Sequence, residues 1–134
     1  MFYKHIVLKE LGTFIDVVIG NSKDNVEFCK KKYKKTDPAE IKDIVKFIQD
    51  NAGGTLDLTQ DSGARAWLFF VNEDDCGKKI NKTIEHEMVH VISGINDYYL
   101  IHSEEFMAYW LSFYTDYIIC EYNKMKEKSC LKSE

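Results

Sequence analysis

The sequence is poor in the residues that divide a chain into linkers, with one proline and seven glycines among 134 residues. Disordered and linker-rich chains are low in apolar residues, whereas 45% of this chain is hydrophobic and 13% is aromatic. A chain of this length can bury a core without disulfides or a structural metal. We therefore expect residues 1–134 to form a single domain.

Two further features are missing from the sequence. No two of the four cysteines have the C-x-x-C spacing of zinc ribbons and thioredoxin-type redox motifs. The N-terminal residues contain no apolar segment long enough for a signal peptide or a membrane span. The sequence thus predicts a cytoplasmic protein with reduced thiols, which is not secreted and does not contact a membrane.

An excess of one charge sign is also absent, since the formal net charge is only -4. The single basic run, residues 30–35, could contact a phosphate backbone, but it is short and has no arginine. Such runs are more typical of a solvated helix end, where cations suit the negative pole of the dipole. We therefore do not expect nucleic acid as a partner.

Apolar periodicity and turn residues predict the element order β-β-α-α-β-β-α-α, an α+β fold in which a small mixed sheet packs on two C-terminal helices. The last strand is continuously apolar, as expected of a strand that is covered on both faces. Ser22 is predicted as an N-cap, Gly53-Gly54 as a helix stop, and Gly94 as the end of the third helix. The predicted strands are 2–8, 13–19, 55–59 and 66–71, and the predicted helices start at 22 and 38 and span about 80–93 and about 103–126.

Residues 86–90 read His-Glu-Met-Val-His, an H-E-x-x-H motif inside the third predicted helix. Residues four apart lie on one helix face, so His86 and His90 can bind the same ion. Zinc binds such nitrogens at about 2.0–2.1 Å and keeps one position for water in catalytic sites, where Glu87 could act as general base. The alternative is a chance match, which arises about once in a few hundred sequences of this length. The opposite stripe is apolar and predicts a core-facing side: Ile84, Met88, Val91 and Ile95.

A zinc site needs a third protein ligand, and one group of candidates follows the motif directly. The metzincin pattern places this ligand six residues after His90, where the chain has Asn96. Asp97 is one residue out of that register, and His102 is also within reach. Both stay open as alternatives.

The favoured third ligand is a glutamate at the start of the last predicted helix. An acid that points inward from this otherwise apolar helix needs a compensating charge, which a metal provides. Glu105 is favoured over Glu104 because it shares its helix face with Ala108, a small residue that lets two helices approach closely. Alternatively, Ser103 is the N-cap of this helix, and both glutamates only stabilise its first turn by interacting with the helix dipole.

Residues 83–90 (Thr-Ile-Glu-His-Glu-Met-Val-His) and 105–111 (Glu-Phe-Met-Ala-Tyr-Trp-Leu) resemble the small zincin-like proteins encoded by bacteriophages and prophages. This resemblance implies a minimal gluzincin-like fold with His86, His90 and Glu105 as zinc ligands and Glu87 as catalytic base. It implies action in a host cytoplasm but no particular substrate. Tyr109 is a candidate for stabilising an oxyanion, with a packing role as the alternative.

The sequence therefore predicts a zinc-dependent metallopeptidase that acts on a peptide or protein, held in extended form along an edge strand at 67–71. One alternative is a non-catalytic binding or inhibitor protein on the same scaffold, with or without zinc. A purely structural zinc site is the other, although Glu87 argues against it because a structural site needs no neighbouring base. The aromatic face of the last helix indicates a homodimer or a partner surface, with a buried core helix as the alternative.

Overall fold

The computed structural model describes residues 1–34, 37–59, 65–99 and 104–132. The chain begins with a β-hairpin whose two strands are joined by a 3-10 turn at Lys9–Leu11 and by Gly12, which adopts a left-handed φ of 63°. The elements in chain order are β1 (Phe2–Leu8), β2 (Thr13–Gly20), α1 (Ser22–Lys32), α2 (Pro38–Asp50), β3 (Gly53–Thr59), β4 (Arg65–Asn72), the short α3 (Glu73–Cys76), α4 (Ile80–Tyr99) and α5 (Glu104–Lys132).

The strands of the described residues form one mixed sheet in the order β1-β2-β4-β3. β2 and β4 run parallel in its centre, while β1 and β3 pair antiparallel with them at the two edges. The prediction of a mixed sheet in an α+β fold is therefore confirmed. The prediction that 67–71 is an edge strand is wrong, because β4 is hydrogen-bonded on both sides, and the edge beside α4 is β3.

Helices cover both faces of the sheet, so the architecture has three layers. The alternation of side chains along β2 sends Ile15, Val17 and Ile19 towards α4 and α5, and sends Val18 towards α1 and α2. The side chains of β4 alternate in the same way, with Phe69 and Val71 on the α4 side of the sheet and Leu68 and Phe70 on the α1 and α2 side. Every residue of β4 from Ala66 to Asn72 is buried, which explains its continuously apolar sequence.

Helix starts follow local capping chemistry. Asn21, not Ser22, is the N-cap of α1, and its side chain accepts a hydrogen bond from the backbone N–H of Asp24 at 2.8 Å. Asp37 caps α2 in the same manner, and Pro38 lies in the first turn, where its missing N–H costs nothing. α1 ends in three lysines, Lys30 to Lys32, which supports the interpretation of the basic run as a helix end.

Gly94 has a different role from the one predicted. α4 continues through Gly94 to Tyr99, and a Cβ at Gly94 would lie 2.5 Å from the Trp67 ring. Gly94 is therefore a site of close helix–strand contact and not a helix end. α2 ends at Asp50, just before Gly53-Gly54, so the predicted helix stop is confirmed. The two glycines also begin β3, where a Cβ at Gly54 would overlap the rings of Phe47 and Phe70.

No helix in the described part of the chain has the length and hydropathy required to span a membrane.

Candidate metal centre

The H-E-x-x-H motif lies in the middle of α4, and the helix packs on the sheet through one face. Ile84, Met88 and Val91 on that face are fully buried, and Ile95 is nearly so, as the apolar stripe predicts. His86 and His90 lie on the opposite, exposed side one turn apart. Packing of the apolar stripe thus fixes the helix and leaves the two imidazoles accessible from solvent.

The two histidines present the same ring nitrogen to each other. Nε2 of His86 lies 3.2 Å from Nε2 of His90, and the ring centroids are 4.9 Å apart with the planes at 78°. Two bonds of about 2.0–2.1 Å to one tetrahedral zinc ion require a nitrogen separation of about 3.3–3.4 Å. The observed separation is close to this requirement. Without a metal, a hydrogen bond at this distance would need one ring to donate from Nε2 and the other to accept.

Glu87 is the buried member of the group, with only 5% of its surface exposed. Its Oε1 lies 3.9 Å from Nε2 of His86. Its Oε2 is buried without a hydrogen-bond partner among the described residues. Burial raises the pKa of Glu87 above its usual value, and the positive charges that His90 and His86 can carry oppose this shift. An unpartnered buried carboxylate is costly, so this oxygen fits a proton donor or cation that binds at the site.

The edge strand β3 makes the burial of Glu87 possible. A Cβ at Gly53 would lie 3.3 Å from Cγ of Glu87 and 2.7 Å from Cγ2 of Thr83, so only glycine lets α4 approach this closely. Two residues along, Oγ1 of Thr55 donates a hydrogen bond of 3.1 Å to the backbone carbonyl of Glu87. β3 therefore holds the helix at the level of the motif.

A surface cleft of about 450 Å³ opens above this group. Its walls come from the end of α2, from β3 and from α4. The lining residues are Phe47, Asn51, Gly53, Gly54, Thr55, Asp57, Trp67, His86, Glu87 and His90. The sequence did not point to the residues from α2 and β3, although period-two alternation along β3 places Thr55 and Asp57 on the same face as Gly53.

Among the described residues, one group of side chains has the spacing of metal ligands. It consists of His86, Glu87 and His90, whose ligand atoms lie within 4.8 Å of one another. Glu104, Glu105 and Asp97 are described and are not part of it. Glu104 and Glu105 are exposed in the first turn of α5. His102 lies outside the described residues, as does Ser103. The third ligand therefore stays a prediction.

Tyr109, the predicted oxyanion residue, lies on the outer face of α5 and is 67% exposed. Its ring stacks on Phe113 with centroids 6.2 Å apart. It is not among the described residues that line the cleft. Its catalytic role stays a prediction.

A second polar cluster, on the other face of the sheet, was not anticipated. Asp16 in β2 is fully buried and accepts hydrogen bonds from Tyr3 (2.9 Å) and Tyr33 (3.0 Å). Nδ1 of His5 lies 2.7 Å from the same carboxylate. An acid inside an otherwise apolar strand is the signal that sequence reading could have used. The cluster provides hydrogen-bond partners for a buried carboxylate between β1, β2 and α1, and it is separate from the cleft.

Comparisons with known proteins found no similarity that would identify the chain. No protein-family model matches the sequence, no curated protein matches it, and no solved structure matches the fold. The function must therefore be argued from the geometry of the site.

Proposed function

We propose that this protein is a zinc-dependent hydrolase of peptide bonds whose metal is held by His86 and His90 and whose general base is Glu87. One observation carries the proposal. Two Nε2 atoms lie 3.2 Å apart, close to the separation that two ligands of one zinc ion require, beside a buried carboxylate oxygen that has no partner within the described residues. A purely structural site would gain nothing from the buried acid, because burying it costs free energy.

The chemistry divides between the ion and the side chains. Zinc, when bound, polarises a carbonyl and lowers the pKa of water to about 7. Glu87 accepts a proton from the attacking water and passes it to the leaving amine, so that one carboxylate serves both halves of the reaction. Burial raises the pKa of Glu87, which makes it a better proton acceptor than an exposed glutamate.

The substrate is an extended peptide that lies along β3. The backbone carbonyl of Ala52 accepts a hydrogen bond from the N–H of Asn72 in the neighbouring strand. Alternation in an antiparallel ladder then directs the N–H and C=O groups of Gly53 and Thr55 away from β4, towards the side of β3 where no described strand pairs. These two residues also line the cleft, so an added strand would place its backbone beside the two histidines.

We further propose that the scaffold is a minimal gluzincin-like one of the phage-encoded type, with Glu105 as the third ligand and with action in a host cytoplasm. The support is the order of the helices, since the motif helix α4 is followed directly by α5, which carries two acids in its first turn. Recruitment of Glu105 would require a shift of its exposed side chain towards the histidines. Comparison of the zinc affinities of Glu105→Ala, Glu104→Ala and the wild-type protein tests this choice. We expect only Glu105→Ala to bind zinc more weakly. Wild-type affinity in both variants would show that neither glutamate is a ligand.

The main experiment combines metal analysis with a peptidase assay on the full chain. We expect about one equivalent of zinc per chain, removed by a chelator and absent from His86→Ala. We also expect zinc-dependent cleavage of fluorescein-labelled casein. Glu87→Gln should retain zinc but lose at least about 100-fold in cleavage rate, the usual scale for a lost general base.

Glu85→Gln is the matched control, because this glutamate is on the same helix and exposed. It should retain both zinc and cleavage. Zinc well below half an equivalent in the wild-type protein refutes the metal site. Bound zinc without cleavage of casein or of a peptide library refutes the peptidase and leaves the non-catalytic binding protein as the better description.

A further inference from the structure

The edge strand and the proposed general base lie level with each other at Gly54. A Cβ at Gly53 would lie 3.3 Å from Cγ of Glu87, and Oγ1 of Thr55 donates a hydrogen bond of 3.1 Å to the backbone carbonyl of Glu87. Gly53 and Thr55 are the two neighbours of Gly54 in β3. When a substrate strand is added to β3, the peptide bond within reach of Glu87 therefore lies opposite Gly54.

The hydrogen bonds of an added strand determine which substrate carbonyl is free. Antiparallel addition is the more stable pairing, and it bonds the substrate backbone to the outward N–H and C=O groups of Gly53 and Thr55. The substrate residue between these two contacts lies opposite Gly54, and its own N–H and C=O point away from β3. Its carbonyl is thus available for attack by water. This residue is on the N-terminal side of the bond that is cleaved.

The side chain of this substrate residue points to the α2 side of the sheet. Directly opposite residues of paired strands face the same way, and Gly53 and Thr55 face α4, so Gly54 and the residue opposite it face α2. A Cβ at Gly54 would lie 2.4 Å from Cε1 of Phe47, which places the Phe47 ring over this glycine. The ring also lines the cleft, so a substrate side chain can reach it.

Phe47 is held in place by two contacts. Its ring meets the fully buried ring of Phe70 edge to face, with centroids 5.6 Å apart and planes at 85°. One turn further along α2, Nδ2 of Asn51 donates a hydrogen bond of 2.9 Å to the backbone carbonyl of Phe47. Phe47 is half-buried, so part of its surface stays open to the cleft. A fixed and partly open aromatic ring is typical of a pocket wall that binds apolar groups.

We propose that Phe47 is a specificity-determining residue that selects a large apolar residue on the N-terminal side of the cleaved bond. This inference rests on the proposed peptidase. Opposite Cβ atoms in an antiparallel pair are about 4.5–5.5 Å apart, so leucine or phenylalanine spans the gap to the ring and alanine does not. Acidic substrate residues are disfavoured, because the described residues that line the cleft include Asp57 and Glu87 but no lysine or arginine.

Digestion of a proteome-derived peptide library by the zinc-loaded full chain tests the position of the selected residue. Mass spectrometry should find phenylalanine, leucine or methionine directly before the cleaved bond, and no such preference directly after it. In alanine hexapeptides with one substitution at that position, kcat/KM should be at least about tenfold higher for phenylalanine than for alanine. Phe47→Ala should reduce this ratio to below about threefold. Cleavage without an apolar preference before the bond overturns the proposal and leaves the peptidase intact.

Phe28→Ala is the matched control. Phe28 is also half-buried against the apolar cluster on the α1 and α2 side of the sheet, but it is not among the described residues that line the cleft. This variant should retain the preference for phenylalanine. Circular dichroism melts verify that the variants fold. If Phe47→Ala unfolds, Phe47→Leu replaces it and should lower the ratio of phenylalanine to leucine cleavage by about two- to tenfold, through loss of the aromatic contact.

Binding measurements separate this inference from the proposed peptidase. Fluorescence anisotropy of the same hexapeptides, labelled with fluorescein, reports their contact with the metal-free protein without any reaction. The phenylalanine peptide should bind at least about fivefold more tightly than the alanine peptide, and Phe47→Ala should remove the difference. This result without cleavage in the presence of zinc would refute the peptidase but support the apolar subsite. Equal binding of the two peptides would overturn the subsite, whether or not the protein cleaves them.

Discussion

Replacement of Gly94 by alanine has two opposing effects on stability, one from helix propensity and one from packing against Trp67. In a helix interior, alanine is favoured over glycine by about 1 kcal/mol. In this protein the new Cβ would lie 2.5 Å and 2.6 Å from two carbons of the Trp67 ring. Ordinary carbon contacts are about 3.5–4.0 Å, so the helix or the ring must move by about 1 Å.

The ring has little room to move, because Trp67 is 5% exposed in a strand that is buried on both sides. Overpacking of a core costs about 1–3 kcal/mol, and a rigid aromatic neighbour favours the upper part of that range. Packing therefore outweighs propensity, and we expect Gly94→Ala to destabilise the fold by about 2 kcal/mol. For a chain of this length the melting temperature should fall by about 6–10 °C.

Urea denaturation followed by circular dichroism measures this change, together with a second variant that isolates its cause. In a Trp67→Leu background the ring is absent, so adding Gly94→Ala should stabilise the protein by up to about 1 kcal/mol through propensity alone. The same substitution would then have opposite signs in the two backgrounds. A wild-type background in which Gly94→Ala is neutral or stabilising would show that α4 and β4 are not in close contact here.

Three further predictions concern titratable groups. Burial raises the pKa of Glu87 above 4.5, so the metal-free folded protein binds more protons than the unfolded chain. The stability that Glu87 contributes is therefore complete below pH 4.5 and is lost as the pH rises through the pKa of the folded state. Glu87→Gln cannot ionise, so in urea denaturation at pH 7 with a chelator present it should be more stable than the wild-type protein. A less stable variant would contradict the argument. Burial, with a smaller contribution from Asp16, raises the pKa of the Cys29 thiol to about 12, so iodoacetamide at pH 8 should alkylate exposed Cys120 and leave Cys29 unmodified in peptide mass spectra. Asp16→Ala would leave two tyrosine hydroxyls without their acceptor and should cost about 3 kcal/mol in the free energy of unfolding, whereas a loss below about 1 kcal/mol would mean that the cluster is not a stabilising one.

Local patterns in the sequence determined the elements and the position of the motif. Alternation and turn residues identified the strands to within a few residues, and the stripe that contains Ile84 and Met88 correctly identified the buried side of α4. These features depend on neighbours in the chain, which is why a single sequence can specify them. The same holds for the pairing of His86 with His90, since four residues in a helix always return to one face.

The pairing of strands and the role of Gly94 depended on tertiary structure. The apolar sequence of β4 is compatible with a central or an edge position, and only its pairing with β2 and β3 decides between them. Gly94 reads as a helix end because glycine is common there, but its contact with Trp67 comes from a residue 27 positions earlier in the chain. Long-range contacts of this kind leave no periodic signal in the sequence.

The sequence by itself determined that two histidines and a glutamate share one helix and can meet a single metal ion. Only the tertiary structure decided what surrounds them. It buries Glu87 beneath Gly53 and Thr55 of the edge strand, makes a cleft with the end of α2, and leaves Glu104 and Glu105 of α5 exposed. The reason is physical: a helix fixes the relative directions of its own side chains, whereas burial, cleft shape and charge environment are set by elements that are distant in the chain.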